Sequence, residues 1–126
     1  MSGLRKESQT DGGKQYDILD GFCLLENTGS AFPEDVLQAN MADLNLRKVE
    51  PQDLMYFTEL LFIDISENSL HLSPFGALPK LRELKIACNE IVNIEDNMAG
   101  FNNLLYLGIH TIHYYKHYTY YTHYTH

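Results

Sequence analysis

The sequence predicts an α/β fold: a short stack of coils with one parallel sheet and a mostly irregular convex side. Three observations lead there. Leu60-x-x-Ile63-x-Ile65-x-x-Asn68-x-Leu70 and Leu81-x-x-Leu84-x-Ile86-x-x-Asn89-x-Ile91 agree position by position and lie 21 residues apart. Each core motif alternates apolar and other residues over a few positions, as a half-buried strand does. The return between them carries Pro74, Gly76 and Pro79, which disfavour a long helix.

This is the leucine-rich repeat signature, within its period of about 20–29 residues. Leu60, Ile63 and Ile65 point inward from a short strand and its approach. Asn68 turns its amide inward to bond backbone groups of adjacent coils, and Leu70 closes the core. One coil cannot bury such a face alone, so coils stack. Asn68 and Asn89 are therefore expected to begin an asparagine ladder. Weaker coils flank these two. Leu104-x-x-Leu107-x-Ile109 starts 23 residues after Leu81, with Ile112 in the asparagine slot. Upstream, Leu44 and Leu46 align with Ile63 and Ile65 at a shift of 19, with Val49 in that slot. The expected strands centre near Asn45, Asp64, Lys85 and Gly108.

Between strands, Leu72, Phe75, Leu78 and Leu81 step by three, as do Ile91 and Ile94, then Phe101 and Leu104. This suits short turns on the convex side, with Gly76 and Gly100 in tight turns. Four segments result: a disordered 1–15, an N-terminal cap at 16–41, repeats at 42–112 and a low-complexity tail at 113–126. The cap is expected to lay Asp17-Ile18-Leu19-Asp20-Gly21-Phe22-Cys23-Leu24-Leu25 on the first coil. Pro33 opens a helix running to about Ala39, with Glu34 and Asp35 at its positive end.

Composition narrows the function. The chain has 126 residues, enough for one domain, and a net charge of −8. That charge disfavours nucleic acid, because phosphates are repelled. The basic clusters Arg5-Lys6, Arg47-Lys48 and Lys80 with Arg82 and Lys85 are each diluted by carboxylates. No apolar run approaches the about 18 residues of a membrane span. The polar opening residues read as neither signal peptide nor anchor, so a soluble intracellular chain is expected. Cys23 and Cys88 then read as reduced structural thiols.

Residues 110–126, HTIHYYKHYTYYTHYTH, hold five of the six histidines. All five residue types there have codons free of G, so the tract reads as translated simple-sequence DNA. The third coil loses its pattern where the tract begins. Residues beyond about His113 are expected to be disordered and to leave the last coil uncapped and prone to non-specific self-association. His110, His113, His117, His123 and His126 suit metal by residue type. They lack a frame and a carboxylate or thiolate partner, so no metal site and no cofactor are expected. Ser66, Glu67 and His71 are close in sequence, but nothing positions them as a triad. No phosphate-binding glycine loop or Cys-x-x-Cys occurs, so no catalytic residues and no enzyme are expected.

Binding, if present, uses the concave strand face. Its outward residues are expected to be Asp43, Asn45 and Arg47; Phe62, Asp64 and Ser66; Glu83, Lys85 and Ala87; then Tyr106 and Gly108. Phe62, Asp64, Ser66, Glu83, Lys85 and Tyr106 are the candidate protein-binding residues. Phe62 and Tyr106 are the aromatic anchors of that set.

Phe62-Ile63-Asp64-Ile65-Ser66-Glu67-Asn68-Ser69-Leu70 and Phe75-Gly76-Ala77-Leu78-Pro79-Lys80-Leu81-Arg82-Glu83-Leu84 follow Asp17-Ile18-Leu19-Asp20-Gly21-Phe22. In that order they resemble the X-ray radiation resistance-associated proteins, over about residues 17–101. The resemblance implies a long leucine-rich repeat protein of cytoplasm and nucleus, implicated in the response to X-rays and without established catalysis. The partner implied is an unidentified protein. The alternative reading is a truncated or aberrant isoform without independent function.

Overall fold

The computed structural model describes residues 16–91, 98 and 100–109, and the backbone of residues 120–123. It is a mixed α/β fold with parallel sheets and few, short helices. The first elements are strand β1 (Ile18–Leu19) and helix α1 (Gly21–Thr28). Asp20 caps α1: its Oδ1 accepts from the Cys23 N–H at 2.9 Å, filling one of the helix's unpaired donors. A second, the Gly21 N–H, is taken by Asp53 Oδ2 at 2.8 Å. Gly29, at φ 70°, ends the helix in the left-handed region that glycine tolerates.

No helix runs from Pro33 to Ala39. A single 3-10 turn, Pro33–Asp35, precedes strand β2 (Gln38–Asn40). The reason is spacing: Ala39 and Met41 are buried while Gln38 and Asn40, before and between them, are exposed, the alternation of a strand. After β2 come β3 (Lys48–Val49), helix α2 (Pro51–Leu54), β4 (Phe62–Asp64), the 3-10 helix Ser73–Ala77, β5 (Glu83–Lys85), β6 (Tyr106–Ile109) and β7 (Tyr120–His123). β1 pairs in parallel with β3. The second sheet has the order β2-β4-β5-β6-β7 and is parallel from β2 through β6.

Register carries the packing. Ala39, Ile63, Leu84 and Leu107 are aligned across four strands, and all four are buried. Met41, Ile65, Ile86 and Ile109, two residues further on, are buried as well. Burial of each large aliphatic chain contributes about 1.5–3 kcal/mol. One core runs from Leu19 to Ile109, and among the described residues no polar side chain is fully buried.

The first strand is not where the sequence reading put it. Gln38 pairs with Phe62, a shift of 24 rather than 19. The first coil is thus Val36-x-x-Ala39-x-Met41-x-x-Leu44-x-Leu46. Leu44, not Val49, takes the slot that Asn68 fills in the next coil, and Val49 pairs with β1 instead. The backbone agrees: Asp43, Glu67 and Cys88 each precede that slot, at φ 56°, 58° and 56°.

Gly76 and Gly100 sit in the tight turns expected, one in the 3-10 helix and one in the turn closed by the Phe101 N–H on the Met98 carbonyl, and have a further use. Neither has positive φ; the two backbones approach each other. A Cβ on Gly76 would lie 3.1 Å from the Gly100 Cα and carbonyl carbon. Beyond β6 the tail contributes β7, which pairs antiparallel with it, Tyr106 opposite His123 and Ile109 opposite Tyr120. The edge of β6 expected to be open is therefore covered. The expected disorder at 1–15 and the slot at Ile112 lie outside the described residues.

Candidate functional site

The outward strand positions form two rows. One is Gln38, Phe62, Glu83 and Tyr106; the other is Asn40, Asp64, Lys85 and Gly108. Strands lie about 4.8 Å apart, so neighbours within a row are in reach of each other. The sheet brings Phe62, Asp64, Glu83, Lys85 and Tyr106 onto one face, with Ser66 just beyond the end of β4. Asp43, Asn45 and Arg47 are not on it. Gln38 and Asn40 take their place, because the first strand sits earlier than expected.

Half-buried asparagines hold these strands in step. Asn68 Oδ1 accepts from the Leu44 N–H at 3.1 Å and the Leu46 N–H at 2.9 Å. Its Nδ2 donates to the Met41 and Ile65 carbonyls, each at 3.0 Å, and to Ser66 at 3.3 Å. Asn89 repeats the arrangement one coil on. Its Oδ1 accepts from the Leu70 N–H at 2.8 Å, and its Nδ2 donates to Ile65 at 2.8 Å, Ala87 at 3.1 Å and Ile86 at 3.3 Å. This is the inward turn the spacing predicts for both residues.

Several face residues serve the backbone as well as the surface. Asp64 Oδ1 accepts from the Ser66 N–H at 3.0 Å, and Asn40 Oδ1 from the Ala42 N–H at 3.1 Å. These are side-chain turns that set the exit of each strand. Phe62 is half-buried, and Lys85 Nζ lies 5.8 Å from its ring centroid. That is a cation–π contact worth about 0.5–1 kcal/mol at an exposed site. Tyr106 is also half-buried. Its ring lies over Gly108, where a Cβ would come 3.2 Å from Tyr106 Cε2. Glu83 and Lys85 are exposed. The face is therefore a mixed surface of two partly covered rings among opposite charges.

A second row was missed from sequence. Leu37, Leu61, Arg82 and Leu105 stand at the strand entrances. They are linked in order by Leu61 N–H to Leu37 O, Arg82 N–H to Leu61 O and Leu105 N–H to Arg82 O, at 2.9, 2.9 and 2.8 Å. Leu37 is 58% exposed and Leu105 46%. Two shallow grooves meet there. One of about 610 Å³ is lined by Leu37, Gln38, Leu61, Phe62, Arg82 and Glu83. The other, of about 490 Å³, is lined by Leu61, Lys80, Arg82, Asn102, Asn103 and Leu105. The available signal was the variable residue just ahead of each strand, which is apolar in three coils of four.

His71 Nε2 faces Glu90 Oε1 at 3.9 Å, both largely exposed. Among the described residues no three His, Cys, Asp or Glu side chains are placed to hold a metal. The tail histidine side chains lie outside the described residues. Cys23 is buried and Cys88 exposed, and they form no disulfide with each other. No helix among the described residues is long and apolar enough to cross a membrane.

Fold and face together define a class: a mixed α/β protein with parallel strands kept in register by asparagines and an exposed strand surface. No family model and no solved structure matches the chain. Among curated proteins, X-ray radiation resistance-associated protein 1 of Mus musculus is 32% identical over 112 residues, 86% of this chain. The resemblance to the X-ray radiation resistance-associated proteins is thus shown over most of this chain. The chain spans 14% of that relative's length.

Proposed function

We propose that this chain is part of an intracellular leucine-rich repeat solenoid that holds a protein partner on its open strand face. The observation that supports this best is the recurrence of one local geometry. Asn68 and Asn89 bond the same backbone positions one coil apart. Asp43, Glu67 and Cys88 repeat the left-handed residue before that slot. Such a stack leaves one strand face uncovered for binding. Phe62, Asp64, Ser66, Glu83, Lys85 and Tyr106 are the contact residues, with the half-buried rings as anchors. The relative's name supports a setting in resistance to X-ray radiation, and we put the chain in cytoplasm and nucleus. The reading has no catalytic step, no cofactor, no nucleic-acid site and no membrane contact.

The test is site-specific photo-crosslinking in cells before and after X-irradiation, with the crosslinker at Phe62, Lys85 or Tyr56. Tyr56 is exposed in the return segment after α2. A discrete crosslinked polypeptide from Phe62 and Lys85, but not from Tyr56, is expected. Equal yields from all three positions would overturn the strand-face assignment.

A further inference from the structure

The row at the strand entrances adjoins the strand face, sharing one groove with Phe62 and Glu83, but has its own chemistry. Three of its members are leucines with exposed or half-exposed side chains, and the third position is Arg82. Among the described residues the Arg82 guanidinium has no ion-pair partner. Lys80, beside it, is engaged by Glu59 at 3.1 Å. Glu83 is the acidic group lining the adjoining groove. A free guanidinium between aliphatic side chains calls for a carboxylate flanked by apolar groups.

Spacing selects the shape of the ligand. Four strands about 4.8 Å apart put roughly 14 Å between Leu37 and Leu105. An extended peptide crossing them presents same-side residues about 6.8 Å apart, so four contacts span about 20 Å. A helix presents i, i+3, i+7 and i+10 on one face, and these span about 15 Å at 1.5 Å per residue. Only the helix keeps step with the row.

We propose that Leu37, Leu61, Arg82 and Leu105 dock an amphipathic helix of a protein partner, with apolar residues at i, i+3 and i+10 and an acidic residue at i+7. The leucines take the apolar residues, and Arg82 pairs with the carboxylate.

The test is fluorescence anisotropy with the full chain and a labelled helical peptide carrying Leu at i, i+3 and i+10 and Glu at i+7. Saturable binding is expected. Arg82→Glu should weaken it about tenfold, and a peptide with Lys at i+7 should recover affinity for Arg82→Glu. Leu105→Ser should also weaken it. Both side chains are exposed, and circular dichroism checks that the variants fold. Tyr56→Ser, on the exposed return segment after α2, should leave peptide binding unchanged, which ties the binding to the entrance row. No saturable binding, equal affinity for Arg82→Glu, failure of the charge swap, or equal binding of a proline-broken peptide overturns the proposal.

Discussion

Replacing Asn68 by alanine should cost about twice as much stability as replacing Asn89. Asn68 Oδ1 satisfies two backbone donors, the Leu44 and Leu46 N–H groups, whereas Asn89 Oδ1 satisfies one, on Leu70. Both amide nitrogens donate to three carbonyls, so that part of the loss is similar. Carbonyls have two lone pairs and tolerate the loss better than N–H groups do. An unsatisfied buried donor costs about 1–3 kcal/mol, and half-buried sites fall at the low end. Asn89→Ala should therefore cost about 1–2 kcal/mol and Asn68→Ala about 2–4 kcal/mol. Asn103, whose Nδ2 reaches the exposed Pro79 carbonyl at 3.0 Å, should cost under about 0.5 kcal/mol. Urea unfolding gives the comparison, with midpoints at constant slope. Equal losses at Asn68, Asn89 and Asn103 would refute the claim that the asparagines carry the register.

Gly76→Ala should destabilise by about 1–3 kcal/mol, because its Cβ meets the Gly100 backbone at 3.1 Å and backbone yields little. Gly100→Ala, with 3.4 Å to Gly76 Cα, should cost less, and thermal melts of the two variants check the order. Partial burial, and then its hydrogen bond to Glu26 Oε1 at 3.0 Å, raise the Tyr16 phenol well above its ordinary value near 10. The folded value exceeds the unfolded one, so the stability Tyr16 contributes is complete below pH 10 and is lost as pH rises past it. The stability gap between wild type and Tyr16→Phe should shrink between about pH 9 and about pH 11.5 in urea titrations; a constant gap counts against it. Ending the chain at Ile109 removes β7 and uncovers the β6 edge, so sedimentation velocity should show more self-association than in the full chain. An unchanged monomer would mean that β7 protects nothing.

Much of the central sheet was legible because two coils carry strong side chains at every inward position. Ile63 and Ile65, then Leu84 and Ile86, leave no ambiguity of register, and a one-residue slip would expose both pairs. The first coil was misread because its inward positions hold Val36, Ala39 and Met41. Ala39 is a weak apolar signal, while Leu44 and Leu46 look like a strand two residues apart. They occupy the turn instead, where Asp43 and Asn45 have positive φ. Asparagine and aspartate tolerate that conformation better than most residues. The face residues followed wherever the register was right. The entrance row did not, because its members sit in variable slots where no periodicity marks them. The pairing of β7 has no counterpart in the apolar pattern of the tail, since backbone pairing does not require one.

The absence of asparagine from the first coil has a structural reason. In the later coils the amide joins a turn to the coil before it, where strand pairing has already ended. Before the first coil there is no such turn. There the chain supplies β1, which pairs directly with β3. The Asp17 carbonyl accepts from the Arg47 and Lys48 N–H groups at 2.9 and 3.2 Å, and the Leu19 carbonyl from Glu50 at 2.9 Å. The Asp17 and Leu19 carbonyls at this end are thus met by backbone. A leucine at position 44 adds apolar contact to the core instead of a polar group needing partners. The same exchange explains why α1 packs on β2: Leu19, Cys23 and Leu24 bury the outer side of the first coil. Asp20 and Asp53 meanwhile satisfy the helix start that this packing creates. A sheet end closed in this way needs no ladder residue, and Leu44→Asn should bring no gain in urea unfolding, because the Asp17 carbonyl its amide would reach is already taken.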